Sequence, residues 1–296
     1  MIEAKVIEDS VAPHGKRLTT LQLRYPRFIH AEAKTHRILS ISGEEYALTH
    51  DEGFMSDRNL SRNASSSRAV PVAKTIEQVI NDPATPVHWG KNQAGMQARE
   101  ELTGDSLERA KVLWKSAATC AAGIAEDMLK LGLHKQVANR ILEPFQWISV
   151  VVTASEWGNF FELRNHPDAQ PEIKALAEAM AVALAQSSPF ERGYDMNSIR
   201  NWHLPYISFR ERGEIGNPWS AAEISSARCA RVSYLTHDGQ TPSLHKDKSL
   251  FEALVGSKPL HASPTEHQGY PIQAHEWCKN FGGWFQFRQA VEQEFV

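Results

Sequence analysis

Between Leu107 and Leu129 the apolar residues, among them Leu113, Trp114, Ala118, Ala121, Ala125 and Met128, recur with the period of an α-helix. Asp105 and Ser106 offer a cap at one end and Gly132 a stop at the other. A helix that long with one apolar stripe needs partners to cover it. The chain supplies surfaces of both kinds. Leu21, Leu23 and Tyr25 alternate with Gln22 and Arg24 and stop at Pro26, the pattern of a half-buried strand. Ile173, Leu176, Ala177, Met180 and Leu184 mark a second amphipathic helix from about Glu172 to Leu184. Long helices beside strands predict an α+β fold.

The remaining segments are read by contrast. From Phe28 to about Leu39 the pattern is helical, with Glu32 and His36 one turn apart on a single face. Residues 41–60 lack periodicity and read as a loop or insertion, and the small polar run Ser61–Arg68 is expected outside the core. Residues 186–218 hold Gly193, Pro205, Gly213, Gly216 and Pro218 with little periodicity, as a linker or covering loop does. Helical patterns return over 221–234 and 249–255, and Ser263 before Pro264 reads as a helix N-cap. The expected division is a core over 1–185 carrying the insertion 41–60, a connector over 186–218 and a module over 219–296.

Charge narrows the partners. With 32 Lys and Arg against 35 Asp and Glu in 296 residues, the net charge is −3. That is no field for tracking nucleic acid or anionic lipid, so neither nucleic acid nor membrane is expected as a partner. Apolar runs such as Trp147–Ala154 fall far short of the ~20 residues of a membrane-spanning helix. Cys120, Cys229 and Cys278 are too few and too scattered for a disulfide framework, and the start of the chain lacks a signal-peptide layout. A cytoplasmic protein is expected.

Several stretches carry chemistry, each beside a bland alternative. Ser61–Arg68 gathers hydroxyls, an amide and two guanidiniums, a set that either cradles a phosphate or lines an exposed loop. Thr35-His36-Arg37 ends a predicted helix, at a cleft or in solvent. Arg140 and Arg164 lie among apolar residues and, if buried, need an anionic partner from a ligand or a nearby Glu. His261, Glu266 and His267 match no metal-ligand spacing, so no metal is expected. The common phosphate loops and the nucleophile elbow are absent from the sequence, so nucleotide chemistry here needs a less common cradle.

Together these stretches resemble the flavin-dependent thymidylate synthases. Thr35-His36-Arg37 and Asn63-Ala-Ser-Ser66-Ser-Arg68 are similar to the two halves of the family's Arg-His-Arg…Ser-x-Arg signature, here split by residues 41–60. Arg140, four residues before Pro144, resembles the Arg of an Ala-Arg-x-x-Leu-Pro stretch. Asn159-Phe-Phe-Glu-Leu-Arg164 and His261-Ala-Ser263-Pro-Thr-Glu266-His267 resemble two further elements. The last of these, with Cys229-Ala-Arg-Val-Ser-Tyr234 before it, usually precedes the Arg-His-Arg triplet, so the chain reads as a circular permutation of phage type. Thr35, Glu32 and Ala64 stand where the family usually has Arg, Gln and Glu.

The resemblance implies a homotetrameric flavoenzyme with active sites shared between subunits. Reduced FAD would serve the methylation of dUMP to dTMP, with methylenetetrahydrofolate as carbon donor and NADPH as reductant. Ser66 and Arg164 would stand at the reacting nucleotide; Glu32, Ser66, Ser67, Arg68, Arg140 and Arg164 would hold it. His36, Arg37, Asn63, Asn159, His261 and Ser263 would hold FAD or folate. Gln286 and Arg288 are the nearest replacements for the missing Gln and Arg. No base is paired with Ser66 in the sequence, so it is not read as a covalent nucleophile. Two alternatives remain: a pyrimidine nucleotide hydroxymethylase, and a nucleotide-binding protein without catalysis.

Overall fold

The alternation that predicts a strand at Leu21–Tyr25 organises the molecule. In the computed structural model, strand β2 (Arg17–Pro26) lies at the middle of a five-stranded sheet. β1 is Glu3–Val11, β3 Leu60–Ala64, β4 Trp147–Ala154 and β5 Phe190–Glu191, and the spatial order is β3-β4-β2-β1-β5. All pairs are antiparallel except β1 with β5. The fold is α+β, with a mixed sheet. The structure describes residues 1–33, 60–95, 97–236, 239–257 and 260–294, with the backbone of 34–35, 37–38, 50–51 and 295. Most of the predicted insertion therefore lies outside the described residues.

Both faces of β2 and β4 are covered, which their sequences anticipate by being apolar on one face and mixed on the other. Leu21, Leu23 and Tyr25 from β2 and Ile148, Val150, Val152 and Ala154 from β4 point to one side. The helix Pro171–Ala185 covers them with Ile173, Leu176, Ala177 and Met180. Gln170 caps that helix by accepting the N–H of Ile173, and Pro171 occupies its first turn, where a missing N–H costs nothing. The other face places Thr20, Thr153 and Val151 towards the C-terminal half, where Val151 packs on Cys229 and Val232.

A second core surrounds the fully buried Trp202, with Leu204, Ala221, Ile224, Phe251 and Phe287 packed about it. Its helices are Phe209–Ile215, Pro218–Ala230, Leu244–Val255 and Phe287–Phe295. Residues 186–218 therefore contribute β5, a short helix and the buried Trp202. The long helix runs Gly104–Lys130 and Gly132, at φ +80°, turns the chain after it.

Four local expectations need correction. The helix after Pro26 is a 3₁₀ turn, Arg27–Ile29, followed by His30–Thr35, and the backbone is already extended at Arg37–Ile38. Ser61–Arg68 is not outside the core: Leu60–Ala64 is the edge strand, and Leu60, Ser61 and Ser67 are buried. The long helix starts after Thr103 and gains no side-chain cap from Asp105 or Ser106. Ser263 is the first residue of a 3₁₀ turn, Ser263–Glu266, and makes no cap bond.

Candidate active site

The edge strand β3 and the loop after it hold the predicted signature residues, and their partners come from opposite ends of the chain. Asn63 donates through Nδ2 to the carbonyl oxygens of Cys229 (2.8 Å) and Ala230 (3.3 Å). These carbonyls belong to the last turn of the helix Pro218–Ala230, where the Cys229 oxygen also accepts the N–H of Val232 at 2.9 Å, so Asn63 ties that helix end to β3. Ser263 Oγ donates to Asn63 Oδ1 at 3.4 Å. One asparagine thus joins the predicted signature to the predicted permuted module.

Behind β3 the contacts are polar and at least partly buried. Ser61 Oγ accepts from Gln286 Nε2 at 3.0 Å and from Asn280 Nδ2 at 3.2 Å. Arg288 pairs with Glu266 and, through Nε at 2.6 Å, with Glu292. Burial pushes the Glu266 carboxyl above its usual range, against the pull of Arg288 and Arg62. Burial lowers the half-buried Arg62, and Tyr25 and Glu266 oppose that shift. Gln286 and Arg288 are therefore engaged with Ser61, Glu266 and Glu292.

A polar thread crosses the sheet beside this cluster. Ser10 Oγ lies 2.9 Å from His203 Nδ1, and His203 Nε2 lies 2.8 Å from Thr20 Oγ1. Thr20 meets Thr153 at 2.6 Å, and Thr153 meets His267 Nδ1 at 2.9 Å. Burial drives the His267 pKa down to about 3 and that of His203 well below its usual value. Both rings are neutral at neutral pH and act as hydrogen-bonding elements of the core. Among the described residues, no group of three or more His, Cys, Asp or Glu side chains is arranged to hold a metal ion.

Beyond β3 the chain turns through Ser65–Val70 and meets the 3₁₀ segment Asn139–Phe145. Asn139 fixes the turn by donating to the carbonyls of Ser67 (2.7 Å) and Val70 (2.9 Å). Ser67 is buried and donates its hydroxyl to Glu143 Oε1 at 2.8 Å. The same oxygen accepts from Arg140 Nη1 at 3.0 Å and lies 3.2 Å from Arg27 Nη2. Ser66 and Arg68 are exposed, with Ser66 Oγ accepting the backbone N–H of Arg68 at 3.3 Å. The loop presents a hydroxyl and a guanidinium to solvent over a base of arginines held by one carboxylate.

The structure thus joins Ser67 to Arg140 through Glu143 at the loop that carries Ser66 and Arg68, and joins Asn63 to Ser263. Arg164 ends the helix Gly158–Arg164 and is buried, where its cation favours the helix C-terminus. Glu32, Asn159 and His261 are exposed on separate segments. His36 and the side chain of Arg37 lie outside the described residues. Sequence reasoning missed Arg27 and Glu143. The available signal was Glu143 itself, which occupies the Leu position of the Ala-Arg-x-x-Leu-Pro pattern.

Solved structures similar to this chain include the following two. One is a crystal structure of a UMP/dUMP methylase, PolB, from Streptomyces cacaoi bound with 5-Br dUMP, at 16% identity over 63% of this chain and 91% of that chain, with a TM-score of 0.42. The other holds 5-Br UMP, at 17% identity over 63% and 89%, with a TM-score of 0.44. No curated protein matches the chain. A family model described as thymidylate synthase complementing protein matches residues 16–190, a span that runs from β2 to β5 and includes the Ser66–Arg68 loop, Arg140 and Arg164. That match covers more than half of the sequence, and the chain belongs to the thymidylate synthase complementing protein family, the flavin-dependent family that its motifs resemble.

Proposed function

We propose that this protein is a flavin-dependent enzyme that methylates dUMP to dTMP with methylenetetrahydrofolate and a reduced nicotinamide. The observation that carries the reading is the loop Ser66–Arg68 joined to Arg140 through Ser67 and the shared Glu143 oxygen, inside the span matched by the family. A nucleotide phosphate carries close to two negative charges, and each charge-assisted bond to it contributes about 1.5–3 kcal/mol. Arg68 is exposed on the loop and Arg140 beside it is half-exposed, so both are available to such a ligand. Ser66 would orient the nucleotide through its exposed hydroxyl. Arg164 would act from its buried helix end by holding the local charge. Ser67, which donates to Glu143, would position the loop more than touch the ligand.

The residues present fit FAD in kind. Ser263, His261 and Asn159 offer an exposed hydroxyl, imidazole and amide, the donor types that hold a flavin or its sugar chain. When bound, the flavin would supply the electrons of the methylation. Asn63 would serve by fixing Ser263 relative to the loop. We further propose that residues 219–296 are the displaced module of a permuted family fold. The bonds from Asn63 to the helix Pro218–Ala230 and to Ser263 support this reading, because they join that module to β3.

The test is a flavin titration followed by product analysis. The purified protein with FAD added and excess removed is expected to keep an absorbance band near ~450 nm that shifts on adding dUMP. With methylenetetrahydrofolate and NADPH, the product is expected to be about fourteen daltons heavier than dUMP, a methyl group by formula arithmetic. A gain of about thirty daltons assigns a hydroxymethylase instead, the reading favoured by Thr35, Glu32 and Ala64 at altered positions. A protein that binds dUMP but retains no flavin overturns the flavoenzyme reading.

A further inference from the structure

Resting on dUMP as substrate, we infer that Arg27 is a further phosphate-binding residue of this site, with Glu143 as its exchangeable counter-ion. Arg27 follows the end of β2, in the 3₁₀ turn Arg27–Ile29, and its backbone N–H is bonded to the carbonyl of Gln146 at 2.8 Å. That anchor fixes the base of the side chain against the segment Asn139–Phe145. Its guanidinium then reaches the Ser66–Arg68 loop: Nη2 is 3.5 Å from Ser67 Oγ and 3.2 Å from Glu143 Oε1.

The charge arrangement is unbalanced in the way an anion site is. A single oxygen, Glu143 Oε1, takes Ser67 Oγ, Arg140 Nη1 and Arg27 Nη2. Residues 65–70 and 135–143 add Arg68 and Lys135, and Glu143 is the one carboxylate within those two stretches. Lys135 is tied to the same turn through Nζ, which donates to the carbonyl of Ala69 at 3.2 Å. An arginine has five N–H donors in a planar fork, so a monodentate contact to one shared carboxylate oxygen leaves donors for a second anion. Glu143 keeps the arginines preorganised while no nucleotide is bound. A phosphate monoester entering over Ser66 and Arg68 takes the guanidinium of Arg27, and Glu143 is left with Arg140 and Ser67. The Leu-position glutamate and Arg27 thus form a matched pair, and Arg27 supplies a cation that Thr35, at the place of the first Arg of the triplet, does not.

The experiment measures binding of dUMP and of deoxyuridine, which lacks the phosphate, by calorimetry on wild type, Arg27→Gln, Arg27→Lys and Glu143→Gln. Melting curves for each variant check that it folds. Arg27→Gln is expected to weaken dUMP about 10- to 100-fold, the loss of one charge-assisted bond, and to leave deoxyuridine within about twofold. Arg27→Lys is expected to recover part of that loss, since it keeps the charge and loses the fork. Glu143→Gln keeps an acceptor for Ser67 and releases Arg27, so dUMP is expected to bind about two- to fivefold tighter. A purely structural Arg27–Glu143 pair gives the opposite sign, with Glu143→Gln weakening both ligands. Arg27→Gln binding dUMP as wild type does, or losing both ligands equally, overturns the assignment of Arg27 alone. If Arg27→Gln fails to fold, Glu143→Gln and Arg27→Lys decide by the same signs. A wild-type chain that binds no dUMP overturns this inference together with the proposed activity.

Discussion

His267 shows how one side chain links stability to pH. Its ring is fully buried, with Nδ1 at Thr153 and Nε2 without a hydrogen-bond partner among the described residues, and burial holds its pKa near 3. The unfolded chain binds a proton at this histidine from about pH 6.5 downwards and the folded chain does not until about pH 3. Stability conferred by His267 is therefore complete above about pH 6.5 and falls as the pH drops towards 3, by up to about 1.4 kcal/mol per pH unit. His203 adds a loss of the same sign. Glu8 and Glu266, whose carboxyls burial raises, act in the opposite sense as they take up protons. The His267→Gln variant isolates the first term. Urea unfolding at about pH 7 and about pH 5 is expected to show a smaller acid loss in this variant than in wild type. Equal losses would mean that the ring is not held neutral by burial.

At the scale of elements, the C-terminal pairing of Gly269–Pro271 with Trp284–Gln286 positions Gln286, which donates to Ser61 of β3. Gly269 sits where no side chain fits: a Cβ there would stand 2.1 Å from the carbonyl oxygen of Phe285. Its own N–H and carbonyl also bridge to His203. Gly269→Ala is expected to separate the two strands and to cost at least about 2 kcal/mol, the range for inserting a group into a packed site. Chemical denaturation reads that cost, and an unchanged midpoint would show that the pairing relaxes freely. The capping box of the helix Phe209–Ile215 is a milder test. Ser208 and Glu211 cap each other's backbone N–H groups there, so Ser208→Ala is expected to cost about 1 kcal/mol by the same assay.

For the whole molecule, the long helix Gly104–Lys130 is the informative case. Its apolar stripe predicts a covered face, yet the chain itself buries chiefly the alanines at 118, 121, 122 and 125. Val112, Leu113 and Ile124 stand 53%, 54% and 47% exposed. A face of that kind on so long a helix is a surface that the homotetramer implied by the resemblance would cover. Leu113→Glu combined with Ile124→Glu is expected to lower the mass in sedimentation velocity and to leave the isolated chain's melting curve nearly unchanged. A variant of wild-type mass would remove this helix from the interface. Among the described residues, no helix is long and apolar enough to cross a membrane.

The sequence alone determined the elements that depend on short-range pattern. The alternation at Leu21–Tyr25, the stripe of Pro171–Ala185 and the run Trp147–Ala154 each record which way a side chain must face once a core exists. It also determined the family, because its motifs are local strings. Tertiary structure decided what meets what. Asn63 and Ser263 are 200 positions apart, Thr20 and His203 are 183, and Ser67 and Glu143 are 76. No period in a sequence encodes such meetings, since they depend on the order of strands in the sheet and on which loops that order brings to one edge. The same reason hid β3. Leu60–Ala64 is small and polar for a strand, and it is held in place by Val150–Ala154 of β4 and by Asn280 and Gln286 behind it rather than by any propensity of its own.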